Sequence, residues 1–237
     1  MRFTCAIAIC VAALFVTTAG SQTPSSQAPA ITPTASPSAL DRYLSTVGDR
    51  APSYRAKRVL SARAGSREAT LVAMTARDAA GNFTYEILSE DGSGIIRTKV
   101  LRAALEAEQK AKAQAQTARA AVTTENYTFK TTGSPADGVE RILIKPRRNE
   151  AMMIDGAILL NADDGDLLKI QGLLVKRPSF WTRRVEIERQ YARISGQRVP
   201  VSMSSIADVL FVGRSTFDMR YEYESIEGVP VAESARK

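Results

Sequence analysis

From Phe217 to Glu224 the chain reads FDMRYEYE, with Phe217, Met219, Tyr221 and Tyr223 alternating with Asp218, Arg220, Glu222 and Glu224. Side chains two apart on an extended chain share a face, so this segment is a strand with one greasy side and one wet side. A helix, whose repeat is 3.6 residues, does not accommodate the pattern. A strand of this kind needs an antiparallel sheet that covers a core on one face only.

The rest of the second half carries the same signal. NYTFKTT, VERILIKP, the two halves of AMMIDGAILLNADDGDLLKIQGLLVKRP, RRVEIERQYARISGQRVPVSM and IADVLFVG read as strands, separated by Gly, Asp, Asn and Pro turns. In the first half YRAKRVLSAR, EATLVAMTAR and NFTYEIL form a shorter meander. A short helix is expected from the capping residue Ser38 through Leu40, Tyr43, Leu44 and Val47, stopped by Gly48. A longer one, rich in Ala, Leu, Glu and Lys, is expected from about Thr98 to Ala121, with Leu101 and Leu105 one turn apart and mostly alanine beyond them. The fold class is therefore α+β, with the strands after residue 38 in one domain.

The two ends of the chain differ. Arg2, an apolar run from Ala6 to Val16 and small residues at Thr17, Ala19 and Gly20 have the order of a secretory signal, assigned to residues 1–19. The run is too short to span a bilayer, and no transmembrane segment is expected in the mature chain. Residues 20–37, rich in Pro, Ser, Thr and Ala, read as a disordered tether, and residues 38–237 as the folded domain. Both cysteines, Cys5 and Cys10, fall inside the signal, so no disulfide or cysteine metal site is expected after export. A lipidated start at Cys10 is the rival reading, opposed by Ile9 where a small residue is needed.

Histidine is absent, which removes the commonest general base and the usual zinc ligand. Loss of Arg2 lowers the formal charge from +7 to +6. For an exported chain that excess suits anionic headgroups or other envelope polyanions better than nucleic acid, and it serves solubility equally well. No cofactor and no metal are expected, and an enzyme is not the reading.

Several local motifs have bland interpretations. NADDGD, Asn161 to Asp166, crowds carboxylates beside a glycine but lacks the alternating ligands and distant glutamate of a calcium loop, so a hairpin turn is expected. Glu186 and Glu188 share a strand face and suit either acid–base work or a solvated surface. Lys145, Arg147 and Arg148 in KPRR, with Arg183, are candidate headgroup contacts or solvated turn residues. Phe180 and Trp181, in LLVKRPSFWTRR, are either a core plug at a strand turn or the rim of an apolar cavity.

The order of these parts, an export signal, a short amphipathic helix, a strand meander, a helical insertion, then ERILIKPRR, MMIDGAILLNADDGDLLKIQGLLVKRPSFW and FVGRSTFDMRYEYESIEG, resembles the LolA-like lipoprotein-localisation and outer-membrane lipoprotein-sorting family from about Leu40 onward. The resemblance implies an incomplete antiparallel β-barrel, strongly curved, whose concave apolar face is covered by the helices and takes acyl chains. It further implies a non-enzymatic carrier in the periplasm of a Gram-negative-type bacterium, with lipid or lipoprotein acyl chains, and envelope membrane proteins, as partners. The family places an arginine inside the cavity to hold its lid; no position here is assigned that role. Periodicity then nominates the lining as Phe217, Met219, Tyr221 and Tyr223 with Ile170, Leu174, Phe180 and Trp181, under a lid carrying Leu101 and Leu105. The alternative is an envelope interaction or sensing module of the same fold with its cavity closed.

Overall fold

The computed structural model describes residues 37–47, 51–113, 120–177 and 182–232. The leader and tether assigned to residues 1–19 and 20–37 lie outside that set except Pro37, as do Gly48, Phe180 and Trp181. Among these described residues eleven strands form one antiparallel sheet: β1 (Tyr54–Ala64), β2 (Arg67–Arg77), β3 (Phe83–Gly92), β4 (Tyr127–Thr131), β5 (Val139–Pro146), β6 (Ile154–Asn161), β7 (Leu167–Leu174), β8 (Thr182–Ile194), β9 (Gln197–Val209), β10 (Gly213–Ile226) and β11 (Val229–Pro230). The order across it is β3-β2-β1-β10-β9-β8-β7-β6-β5-β4, with β11 on the end of β10.

The sheet is not closed, because β3 and β4 are its two edges. Both edges carry devices that discourage further pairing: β3 sets Glu86, Glu90 and Asp91 along its length, and β4 is only 5 residues long. The ladder register shifts at Arg55/Ala56, Val72/Ala73, Leu159/Leu160, Thr182/Arg184 and Gln190/Tyr191, and interruptions of this kind, of which the β-bulge is one form, add local twist that bends a sheet out of plane. The β8–β9 turn has positive φ at both Ser195 and Gly196, the two-residue hairpin geometry that matches strand twist. IADVLFVG is not a strand of its own; its first half completes β9, and the chain reverses at 210–212.

The helices cover one face. α1 (Ala39–Thr46) begins at Ser38, whose hydroxyl accepts from the Asp41 amide while the Asp41 carboxylate accepts from the Ser38 amide and hydroxyl. It leans on the β6–β7 hairpin: the Arg42 guanidinium donates to the Ala162 carbonyl at 2.6 Å. A Cβ at Gly165, where φ is +73°, would stand 2.6 Å from the Ala39 carbonyl oxygen, so only glycine permits this approach. NADDGD is thus a hairpin turn clasped by a helix. Two of its three carboxylates are committed, Asp166 to Arg193 and Arg198 and Asp164 to the Asp166 amide.

The second helical segment starts earlier than its composition suggests. It runs through α2 (Gly94–Ile96), a π-helical stretch (Arg97–Arg102) and α3 (Ala103–Ala113), while Ala120 to Asn126 form turns instead of continuing the helix. Ile96, Val100, Leu101, Ala104 and Leu105 point into the core. They meet the small side chains Ala56, Ala62, Ala69 and Ala73 on β1 and β2, which leave room for a helix to sit close. Among the described residues no helix is long and apolar enough to cross a membrane.

The capping box makes one pH prediction. Hydrogen bonds from the Ser38 hydroxyl and amide hold the Asp41 carboxyl below its ordinary value of 3.8. A lowered folded pKa means the stabilisation is present above the ordinary value and lost as pH falls through the folded one. Amide exchange in the first turn of α1 is expected to accelerate below pH 3.8 before the sheet amides respond; simultaneous loss would show that the cap has no separate role.

Candidate functional site

Register places the nominated lining on the helix-covered face. Ala56, Arg58, Leu60 and Ala62 of β1 stand opposite Tyr223, Tyr221, Met219 and Phe217 of β10, and the row continues through Met203 and Arg189 to Ile170 and Ile158. Phe217, Met219, Tyr221, Tyr223, Ile170, Leu101 and Leu105 are all buried in one apolar cluster, and Leu174 packs half-buried against it. The sheet and the second helix therefore bring eight of the ten nominated residues together; Phe180 and Trp181 lie outside the described residues.

At the centre of this face sits a residue the alternation should have flagged. Arg58 is 0% exposed. Its guanidinium pairs with the Glu108 carboxylate from α3, with Nη2 to Oε1 at 3.1 Å and Nη1 to Oε2 completing a bidentate pair. Nη2 also donates to the Tyr54 hydroxyl. Three rings surround the cation, Tyr221 at 4.5 Å from its centre, Phe83 at 4.9 Å and Tyr54 at 5.8 Å, an arrangement that stabilises a desolvated guanidinium. Nε has no hydrogen-bond partner.

Burial alone would lower the Arg58 pKa, but the Glu108 carboxylate and the facing Tyr221 and Tyr54 outweigh it and hold it above its ordinary value. Burial pushes the Tyr221 phenol up to about 12, against the pull of Arg58. Arg189, on the same face, is raised as well: burial opposes the charge, and Tyr191, Tyr221 and Glu108 together outweigh it. The half-buried Arg189 thus faces the same interior as Arg58, and both feel the Glu108 carboxylate.

The helix that supplies Glu108 is held at a second point. Arg102, in the π-helical stretch, forms a two-toothed pair with Glu90 of β3, and this bonding keeps the Glu90 carboxyl below its usual range. A π-helical stretch inside an α-helix is uncommon and tends to occur at functional sites and hinges.

An open hollow of about 780 Å³ lies on the other face, over β4 to β9. Leu143, Leu173 and Ile206 form its apolar part, with Arg141, Lys145 and Glu186 around them. The preformed groove that sequence reasoning set on the helix-covered face is there filled by helix side chains, while this hollow carries mixed charge. Glu186 and Glu188 do share this outer face, where Glu186 pairs with Arg184 and Glu188 with Lys169. Hydrogen bonds from Gln190 and Lys169 hold the Glu188 carboxyl below its ordinary value, the wrong direction for a general acid.

The nominated headgroup cations are dispersed. Lys145 lines the outer hollow. Arg147 donates to the backbone carbonyls of Thr124 and Tyr127, and Arg148 to Asn126 and Glu150, so these two brace the entry to β4. Arg183 is exposed at the start of β8.

No family model matches the chain, and no curated protein matches it in sequence. Among solved structures it is similar to a LolA superfamily protein from Nitrosomonas europaea, with a TM-score of 0.36 and 10% identity over 85% of this chain and 98% of that one.

Proposed function

We propose that the protein is a non-enzymatic carrier of lipid or lipoprotein acyl chains in the bacterial cell envelope, in which the helical segment from Gly94 to Ala113 is a lid over the covered face of the sheet. The observation that carries this reading is the buried Arg58–Glu108 pair. Ordinary packing would close the same gap with apolar side chains at no loss of stability, since a buried ion pair seldom outperforms them. A charged pair joining one helix to the sheet has a use if the two must separate, because both charges recover hydration when they part. The π-helical stretch supplies a point at which the helix can bend.

Once the lid lifts, Phe217, Met219, Tyr221, Tyr223, Ile170 and Leu174, with Leu101 and Leu105 from the lid, offer an apolar bed. Each methylene buried there contributes about 0.8 kcal/mol, so a chain of roughly ten carbons reaches micromolar affinity even after ordering costs. Arg58 and Arg189 then lie where an acid headgroup would be drawn in. A leader of the kind read at residues 1–19 places such a carrier in the periplasm.

The near-complete burial of the covered face favours a second reading, an envelope interaction module whose interior stays closed. Two measurements separate them. Mass spectrometry of the protein purified from its host is expected to find co-extracted lipid, and a fluorescent fatty acid is expected to bind with a midpoint in the micromolar range. A lipid-free preparation that also ignores the fatty acid, both as wild type and with the lid weakened by Glu108→Ala, would leave only the closed module.

A further inference from the structure

We propose that the hollow on the outer face, over β4 to β9, is a second binding site, for a compact amphipathic anion: a small molecule with one acidic group on an apolar body. The site is independent of the lid and of acyl-chain uptake on the covered face. The hollow measures about 780 Å³, within the range of sites that take a small molecule. Its lining comes from strands, not from loops, so it is formed before a ligand arrives.

The register shows how the recess is built. Gly156 and Gly172 stand opposite each other on β6 and β7, and both line it. A Cβ at Gly156 would lie 2.1 Å from the Gln171 carbonyl oxygen, and one at Gly172 would lie 2.4 Å from the Asp155 carbonyl oxygen. Both positions therefore require glycine, and the two strands close in with bare backbone between them. To one side Leu143, 36% exposed, is ringed by three cations. Arg141 and Lys145 lie two residues before and after it on the same face of β5, and Lys130 stands opposite it on β4. Leu173 and Ile206 carry the apolar strip on toward β9, with Glu186 of β8 between them.

The three cations carry charge that the fold does not use. All are exposed, and among the described residues none has an ion-pair partner. The lining holds three acids. Glu186 is taken by Arg184 and Glu188 by Lys169, which leaves Asp155 on β6 to offset Lys130, Arg141 and Lys145, so three positive charges meet one negative. Glu125, Asp137 and Asp163 are exposed in turns outside the lining, where water and salt screen them. Asp208 and Asp218 belong to the far strands β9 and β10, Asp208 opposite Arg184. An acidic group among the three cations would gain charge-assisted hydrogen bonds while its apolar body rests on Leu143, Leu173 and Ile206. A flat bilayer does not enter a recess, and a bare inorganic anion would leave the leucines without use.

The test is a titration of the isotope-labelled protein with naphthalene sulfonate, followed by amide shifts in NMR, with inorganic sulfate and naphthylmethylamine in parallel. Naphthalene sulfonate is expected to saturate with a midpoint of about a millimolar or below, moving amides of β5 to β8 and leaving those of Arg97 to Ala113 in place. Sulfate lacks the apolar body and the amine lacks the negative charge, so each should bind at least about tenfold more weakly. Arg141→Gln with Lys145→Gln should weaken the sulfonate about tenfold and reduce its salt dependence, at unchanged thermal stability because both side chains are exposed. Arg141→Lys with Lys145→Arg should restore binding. Glu108→Ala, which loosens the lid, should leave this binding unchanged, so the outcome is separate from that of the carrier reading. No saturable binding, shifts confined to the helix and the covered face, sulfate binding as tightly as the sulfonate, or wild-type binding by the double glutamine variant would each overturn the proposal.

Discussion

Glu108→Ala is expected to lower the free energy of unfolding by about 3–5 kcal/mol, read as a fall in the urea midpoint. The size follows from what remains. Arg58 keeps its charge at any accessible pH, it is fully buried, and Nε already lacks a partner, so removing the carboxylate leaves a cation whose company is rings, one phenol and the Met219 sulfur. Arg58→Leu combined with Glu108→Leu is expected to recover most of the loss, because apolar side chains of that volume suit the site without the desolvation penalty. The carrier reading adds a functional signature. Breaking the pair destabilises the closed arrangement more than the open one, so apparent fatty-acid affinity should rise in Glu108→Ala in proportion to the open fraction. It should fall in the double leucine variant, which glues the lid down. If uptake is the same in all three proteins, the pair is a structural joint and the helix is not a lid.

Leu101→Ala is the second large effect, with an expected loss of about 2–5 kcal/mol. Leu101 is fully buried within the π-helical stretch, so the truncation opens a cavity between helix and sheet at the point where the lid would bend. Hydrogen exchange distinguishes a lid from an integral layer. In a lid, amides of Arg97 to Ala113 should exchange faster by the full factor while those in the middle of β8 and β9 retain protection, since local opening then needs no disruption of the sheet. A uniform loss across helix and sheet would mean that the two unfold together.

How far these features were legible varies with their range along the chain. The strands could be read, because alternation reports directly on which side chains share a face; Phe217, Met219, Tyr221 and Tyr223 stand on the covered face as their spacing required. Ser38 announced its helix because a cap acts within four residues. The start of the second helix was missed by composition, since Ser93 and Gly94 look like a loop, and the apolar pair Ile95 and Ile96 at its opening is too short to show a period. Two separate strands were read where β9 continues, because a two-faced strand of 13 residues offers little contrast between its halves.

The site was half legible. Arg58 lies in phase with Ala56, Leu60 and Ala62, and Glu108 lies one more turn along the Leu101–Leu105 face, so the spacing puts each charge at an inward position, although neither was nominated. That they meet depends on how a helix docks across β1, β2 and β3, and no local pattern encodes that. KPRR shows the reverse, a run of cations that looks like one patch until backbone carbonyls around Tyr127 claim Arg147 and the Asn126 side chain claims Arg148. The sequence by itself determined an antiparallel sheet with one apolar face and two covering helices, because faces and caps are properties of neighbouring residues. That a buried ion pair joins helix to sheet, and that the open hollow lies on the outer side, came only with the tertiary structure, because both depend on strand order and on docking between segments far apart in the chain.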